Sequence, residues 1–309
     1  MNPLVECVPN FSEGRRPEVV EAIVSAVQGV DSVLLLDRQM DPDHNRAVLT
    51  FVGPPEPVAE AAIRAAGRAI ALIDLNHHRG VHPRIGAADV VPFVPLRGVT
   101  LEDCVPLARH AGAEIWRRFQ VPVYFYEAAA VSPQRAALEQ IRRGGFEGLR
   151  QEVQGNPARH PDIGGPDLHP TAGATAIGAR RFLLAYNILL ATPDVEIARR
   201  IARRVRASGG GLPFVKAMGV LVKSRAQVSM NLTNFDQTPV QVAHQAVERE
   251  AAAAGVAIES SEIIGLIPKQ AFDLAPDFFH RIANFHAGRI LENRLAELSR
   301  DRRAPDLPL

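Results

Sequence analysis

One short run of the chain gathers three histidines, two arginines and a carboxylate: Asn76-His77-His78-Arg79-Gly80-Val81-His82-Pro83-Arg84-Ile85-Gly86-Ala87-Ala88-Asp89. Histidine has the ordinary pKa nearest neutrality, so it can take up and return a proton at physiological pH. Arginines beside it can hold carboxylates through paired N–H···O bonds. His82, set between Arg79 and Arg84 and followed by Asp89, is therefore a candidate acid/base catalyst. A solvated basic loop at a helix end has the same composition, since His and Arg also favour helix C-termini, and residue types alone leave both readings open. His77, His78 and His82 match neither an HExxH helix nor a Cys-containing zinc pattern, and no metal is expected.

Two further segments offer polar groups. Asn10, in Pro9-Asn10-Phe11-Ser12-Glu13-Gly14, stands where a first strand ends, although Ser12, Glu13 and Gly14 also read as a helix start and a turn. The segment from Leu36 to Arg46 places Asp37, Asp41 and Arg46 between two strands, most of it ordinary hairpin chemistry. Gly209-Gly210-Gly211 lacks the Lys-Ser/Thr of a phosphate loop and reads as a turn.

Hydrophobic periodicity supplies the elements that must position these groups. It predicts a strand over Leu4 to Pro9, a helix over Pro17 to Val27, strands over Val33 to Arg38 and Ala47 to Val52, a helix over Pro57 to Leu75 and a strand over Asp89 to Pro95. The second half repeats the order. A strand over Phe182 to Leu190 precedes a helix opened by Thr192-Pro193, strands over Ala217 to Val222 and Gln227 to Leu232, a helix framed by Thr238 and Gly255, and a strand over Val256 to Ile267. The fold class is thus α/β, of the α+β type: two similar βαββαβ lobes, residues 1–178 and 179–300, with a tail at 301–309. Mixed sheets facing each other, with helices outside, would leave a cleft for a ligand. The irregular stretch Gln154 to Gly173, rich in Gly, Pro, Asp and His, reads as the connection between lobes, either a linker or a binding loop.

With 35 basic and 34 acidic residues in 309, the net charge is +1, too weak a field to suggest nucleic acid or a membrane surface as partner. The βαββαβ order is shared with RNA-binding folds, but the Lys/Arg-Gly-aromatic strand motif of that class does not occur. Two cysteines far apart fit free thiols in a reducing cytoplasm, and neither a signal peptide nor a membrane span is legible. A homodimer is the default expectation.

Several motifs in order resemble one family, the formiminotransferase domain. They are Leu4-Val5-Glu6-Cys7-Val8-Pro9-Asn10-Phe11-Ser12-Glu13-Gly14, Thr50-Phe51-Val52-Gly53, His78 to Ala87, Gly173-Ala174-Thr175 with Gly178-Ala179-Arg180, and Val228-Ser229-Met230-Asn231-Leu232. The resemblance implies a one-carbon transferase of histidine breakdown that moves the formimino group from N-formimino-L-glutamate to the co-substrate tetrahydrofolate, giving 5-formiminotetrahydrofolate and L-glutamate. Related formyl transfer from N-formylglutamate and a tetrahydrofolate-independent hydrolase are the alternatives. The family's catalytic histidine falls on His82. Its folate segment falls on Gly164, Gly165, Pro166, Asp167, Leu168, His169, Pro170, Thr171, Ala172 and Gly173. Asn10, Asp37, Arg46, Arg79 and Arg84 are secondary candidates for substrate binding. Gln39 stands where a second acid is expected after Asp37, so Asp37 and Asp41 both remain open as the assisting carboxylate. Leu168 and Ala172 stand where bulkier aromatics can occur. In animal relatives a cyclodeaminase follows, and this chain is expected to carry the transferase part alone.

Overall fold

The structure is a computed structural model that describes residues 2–301, the last by its backbone alone. The chain divides into two compact units, the first ending at Arg180 and the second beginning at Arg181, where the sequence reading placed the boundary after residue 178. Beyond Asp301 the expected tail lies outside the described residues.

In the first unit β1 (Leu4–Cys7) and β2 (Asn10–Phe11) form one interrupted lane, each pairing with β4 (Arg46–Gly53) on one side and β5 (Ala88–Arg97) on the other. The interruption falls at Pro9, which has no N–H to give a ladder, although its carbonyl still accepts from Leu49 N at 3.1 Å. Outside β4 lies β3 (Leu34–Asp41). Three helices, α1 (Pro17–Gln28), α2 (Pro55–Leu72) and α3 (Leu101–Phe119), lie side by side against the sheet. Alanines 61, 62, 65, 66 and 69 let α2 pack closely between its neighbours, and α3 starts on a capping box between Thr100 and Asp103.

This is the expected βαββαβ order, enlarged by elements the periodicity did not reveal. After β5 come α3, β6 (Val123–Glu127), the short helices α4 (Leu138–Ile141) and α5 (Gly145–Glu152), and β7 (Thr175–Ala179), which inserts between β5 and β6 and is parallel to both. The stretch Gln154 to Gly173 is therefore not a connection between lobes. It lies inside the first unit, ahead of β7. That strand is buried along its whole length, so it shows no alternation of polar and apolar residues to betray it.

The second unit has β8 (Leu184–Leu190), α6 (Val195–Val205), β9 (Val215–Val222), β10 (Arg225–Leu232), α7 (Val240–Ala253) and β11 (Ile258–Ile264). Its sheet runs β11-β8-β10-β9 and is antiparallel throughout, whereas a mixed sheet was expected. Strands joined through a helix, β8 with β9 and β10 with β11, run parallel but are kept apart by an intervening strand, so every neighbouring pair is antiparallel; the parallel pairs of the first sheet come only from the added β6 and β7. Leu184, Tyr186, Ile188, Leu190, Ala226, Val228, Met230 and Leu232 join the core with α6 and α7, while Gln227, Ser229 and Asn231 alternate onto the other face. After β11, α8 (Lys269–Leu274), α9 (Pro276–Phe279) and α10 (Leu291–Asp301) follow, with Phe272, Phe279 and Phe285 clustered between them. Among the described residues no helix is long and apolar enough to cross a membrane.

Candidate active site

The loop between α2 and β5 carries His82, and residues 171–174 pin it at both ends. Leu75 N donates to Thr171 O at 2.8 Å, Ala87 N to Ala172 O at 2.9 Å, and Ala174 N to Ile85 O at 2.9 Å. Such close approach requires glycine at Gly173, whose φ is +71° and where a Cβ would lie 2.1 Å from Ile85 O. Gly173→Ala should therefore lose at least ~1–2 kcal/mol from the backbone conformation alone, with the clash added. Urea unfolding checks this; an unchanged midpoint would contradict the pinning.

Two polar side chains hold the loop from outside, and one of its own, His78, ties it from within. Ser12 Oγ donates to Gly86 O at 2.7 Å, and Asn45 accepts from Gly14 N at 2.9 Å while donating to Arg79 O at 3.0 Å. His78 is buried with both ring nitrogens committed, Nε2 to Asn45 O at 2.9 Å and Nδ1 to Arg84 Nε at 2.8 Å. Burial, more than the neighbouring Arg84, holds His78 below its ordinary pKa. Glu13 accepts from the N–H groups of Arg15 and Arg16 and so shapes the turn ahead of α1, whose N-cap, Arg16, has no side-chain cap bond.

His82 stands at the centre. Its Nδ1 lies 2.8 Å from Pro83 O and its Nε2 2.5 Å from Arg46 Nη1. A carbonyl only accepts and a guanidinium only donates, so these partners select the neutral tautomer with hydrogen on Nδ1. Burial, then the positive charges of Arg46 and Arg142, push the imidazole well below its ordinary pKa. Arg46 is itself pushed down to about 10, by burial first and Arg142 second. Arg142 ion-pairs with Asp89 Oδ2, and Asp89 Oδ1 accepts from Ile85 N at 2.8 Å.

These charges set a pH dependence. An imidazole that resists protonation is a free base at neutral pH, so kcat/KM should stay level down to about pH 6.5 and fall only below it. Replacing Arg142 with Gln removes one opposing charge and should move that acid limb to higher pH. Folding follows the same sign: below pH 6.5 the unfolded chain binds a proton that native His82 refuses, so stability is lost as pH falls. A wild-type acid limb above pH 6.5 would contradict this electrostatic setting.

Asn10, Phe11, Ser12, His44, Asn45, Arg46, His78, Arg84 and Asp89 line the pocket with His82. Of the sequence candidates it thus gathers Asn10, Arg46, His82 and Arg84. Arg84 gives its guanidinium to Glu147 through two bonds of 2.8 Å. Arg79 is exposed and donates to His78 O at 2.8 Å, and Asp37 accepts from Gln39 Nε2 at 2.9 Å. Residues 164–173 are not among the lining. Gly164, Gly165, Pro166 and Asp167 are exposed, whereas Leu168, Ala172 and Gly173 are buried in the first unit. His169 closes the loop on itself through Gly173, with His169 N to Gly173 O at 2.9 Å and the reverse bond at 3.0 Å. Sequence reasoning missed Arg142, which comes from the end of α4 and carries no local signal, and gave no role to His44 and Asn45. Among the described residues no His, Cys, Asp and Glu side chains form a group of three that could hold a metal ion.

Residues 4–180 match the formiminotransferase domain, N-terminal subdomain, and residues 185–298 match the formiminotransferase domain. The chain belongs to the formiminotransferase domain family. Similar proteins include the glutamate formimidoyltransferase of Thermoplasma acidophilum, 45% identical over 94% of this chain and 97% of its own length. That of Streptococcus pyogenes serotype M1 is 39% identical over 96% and 99%. The formimidoyltransferase-cyclodeaminase of Mus musculus is 41% identical over 96% of this chain but 57% of its own length. The family's two subdomain models meet where the structure divides, near Arg180.

Proposed function

We infer that the chain transfers the formimino group of N-formimino-L-glutamate to tetrahydrofolate, yielding 5-formiminotetrahydrofolate and L-glutamate. The observation that carries this is near full-length similarity to two proteins named glutamate formimidoyltransferase. A pocket of neutral imidazole and buried guanidinium suits the chemistry. N5 of the folate attacks the formimino carbon, and His82 Nε2 takes the proton that N5 must lose. Arg46 releases its bond to Nε2 as that proton arrives. General acid/base catalysis of this kind supplies about 10²–10⁴-fold, and holding two substrates together up to ~7–11 kcal/mol.

The remaining roles in this reading follow from chemistry. Arg46 has a buried Nε without a hydrogen-bond partner, a donor that a substrate carboxylate can satisfy. Asn10 offers an amide at the pocket wall, and Arg79, exposed and outside the lining, would take a second carboxylate. Arg84 would have to trade Glu147 for substrate, and Asp37 would have to trade Gln39. In the folate segment the exposed Gly164 to Asp167 would meet the ligand outside the lining around His82, with Leu168, Ala172 and Gly173 buried behind them. A cytoplasmic homodimer completes the proposal.

Purified protein given N-formimino-L-glutamate, with and without tetrahydrofolate, tests the reading. Glutamate should be released only when folate is present, and N-formyl-L-glutamate should be the poorer donor. Folate-independent release would identify a hydrolase instead.

A further inference from the structure

The ring nitrogens of His82 meet Arg46 and Pro83 O, and among the described residues the carboxylate of interest stands beside a second histidine of the pocket, His44. In the turn between β3 and β4, Asp41 Oδ1 accepts from Asp43 N at 2.9 Å and His44 N at 2.8 Å, while its Oδ2 lies 3.4 Å from His44 Nδ1. The His44 ring faces that of His82 with centroids 6.0 Å apart and planes tilted by 58°. We propose that His44, held by Asp41, is a second catalytic group that gives a proton to the departing glutamate nitrogen while His82 takes one from the folate.

The inference rests on the transfer reading above, and the reaction supplies its logic. Attack of N5 on the protonated amidine leaves one carbon bonded to N5, to the amino group and to the glutamate nitrogen. His82 removes the N5 proton. Glutamate then leaves only if its nitrogen is protonated, and its departing electron pair is replaced by that of the amino group, which re-forms the C–N double bond on the folate. One histidine would have to serve two nitrogens on opposite sides of one carbon. Two imidazoles 6.0 Å apart can each reach one, at hydrogen-bond lengths of ~2.6–3.2 Å. After turnover His82 holds the proton that His44 has lost, and transfer between them restores both.

Their surroundings divide the labour. Arg46 donates to His82, whereas the carboxylate beside His44 belongs to Asp41. Asp43 shares that turn, Arg46 follows it, and Arg15 holds the turn by donating from Nε to Pro42 O at 2.8 Å. The pocket's remaining histidine, His78, already uses both nitrogens, and a guanidinium does not release protons near neutrality.

The test is kcat against pH for wild type, His44→Gln and Asp41→Asn, with folding checked by thermal melts. Loss of the acid should lower kcat for His44→Gln about 10²-fold and abolish the alkaline limb of its profile. Asp41→Asn removes a negative charge that favours the imidazolium, so its alkaline limb should move to lower pH. Turnover of His44→Gln within threefold of wild type, or an alkaline limb that persists in it, would overturn the proposal. Should that variant not fold, an unmoved limb in Asp41→Asn would do the same. If wild type forms no 5-formiminotetrahydrofolate, the transfer reading itself falls; if wild type does so and the variants match it, only the role of His44 falls.

Discussion

Replacing His82 with Ala should lower kcat for formimino transfer by about 10²–10⁴-fold, with the apparent constants for both substrates changed far less. The reason is geometric as well as chemical. His82 presents one nitrogen to Pro83 O and the other to Arg46, so the imidazole is oriented by its own partners and kept neutral by burial beside two guanidiniums. The variant should remain folded, because the loop is pinned by backbone bonds from Leu75, Ala87 and Ala174 that do not involve the ring. Steady-state kinetics on folded protein decides the matter. Near-normal turnover would return the loop to the solvated basic segment its composition also allows.

Asp89→Ala should have the largest effect on stability, about 3–5 kcal/mol. The carboxylate is 4% exposed and Arg142 13%, so the mutation strands a buried guanidinium and leaves the N–H of Ile85 without its acceptor. By contrast Glu147, the partner of Arg84, is 53% exposed, and Glu147→Ala should cost no more than ~1 kcal/mol because solvent screens the pair. Chemical denaturation of the two variants measures the difference directly. Similar losses in both would mean that Asp89 is not the site's internal counter-charge. Since Asp89 also fixes Ile85, its loss should slow catalysis through displacement of the His82 loop.

The parts of this molecule that could be read from sequence are those with a period or a local signature. Val20, Ile23 and Val27 repeat at helical spacing, the strands of the second unit alternate, and the two βαββαβ orders follow from such patterns. Thr175 to Ala179, buried on both faces, has no period, and so the insertion of β7 and the true place of residues 154–173 were invisible. His82, Arg84 and Asp89 were legible because they crowd one loop. Arg142 was not, since only the tertiary fold brings the end of α4 to Asp89. His44 lay in view as an ordinary turn residue; what distinguishes it is a ring facing His82, which no spacing in the chain encodes.

Transfer of one carbon from a glutamate nitrogen to a folate nitrogen in the first unit's pocket is the step proposed for this chain. Its most direct test follows ¹³C-labelled formimino carbon by NMR when purified protein, N-formimino-L-glutamate and tetrahydrofolate are mixed. The label should appear on N5 of the folate in step with glutamate release, and His82→Ala should slow both by about 10²–10⁴-fold. Label found only in a product released to water, with the folate unmodified, would contradict it.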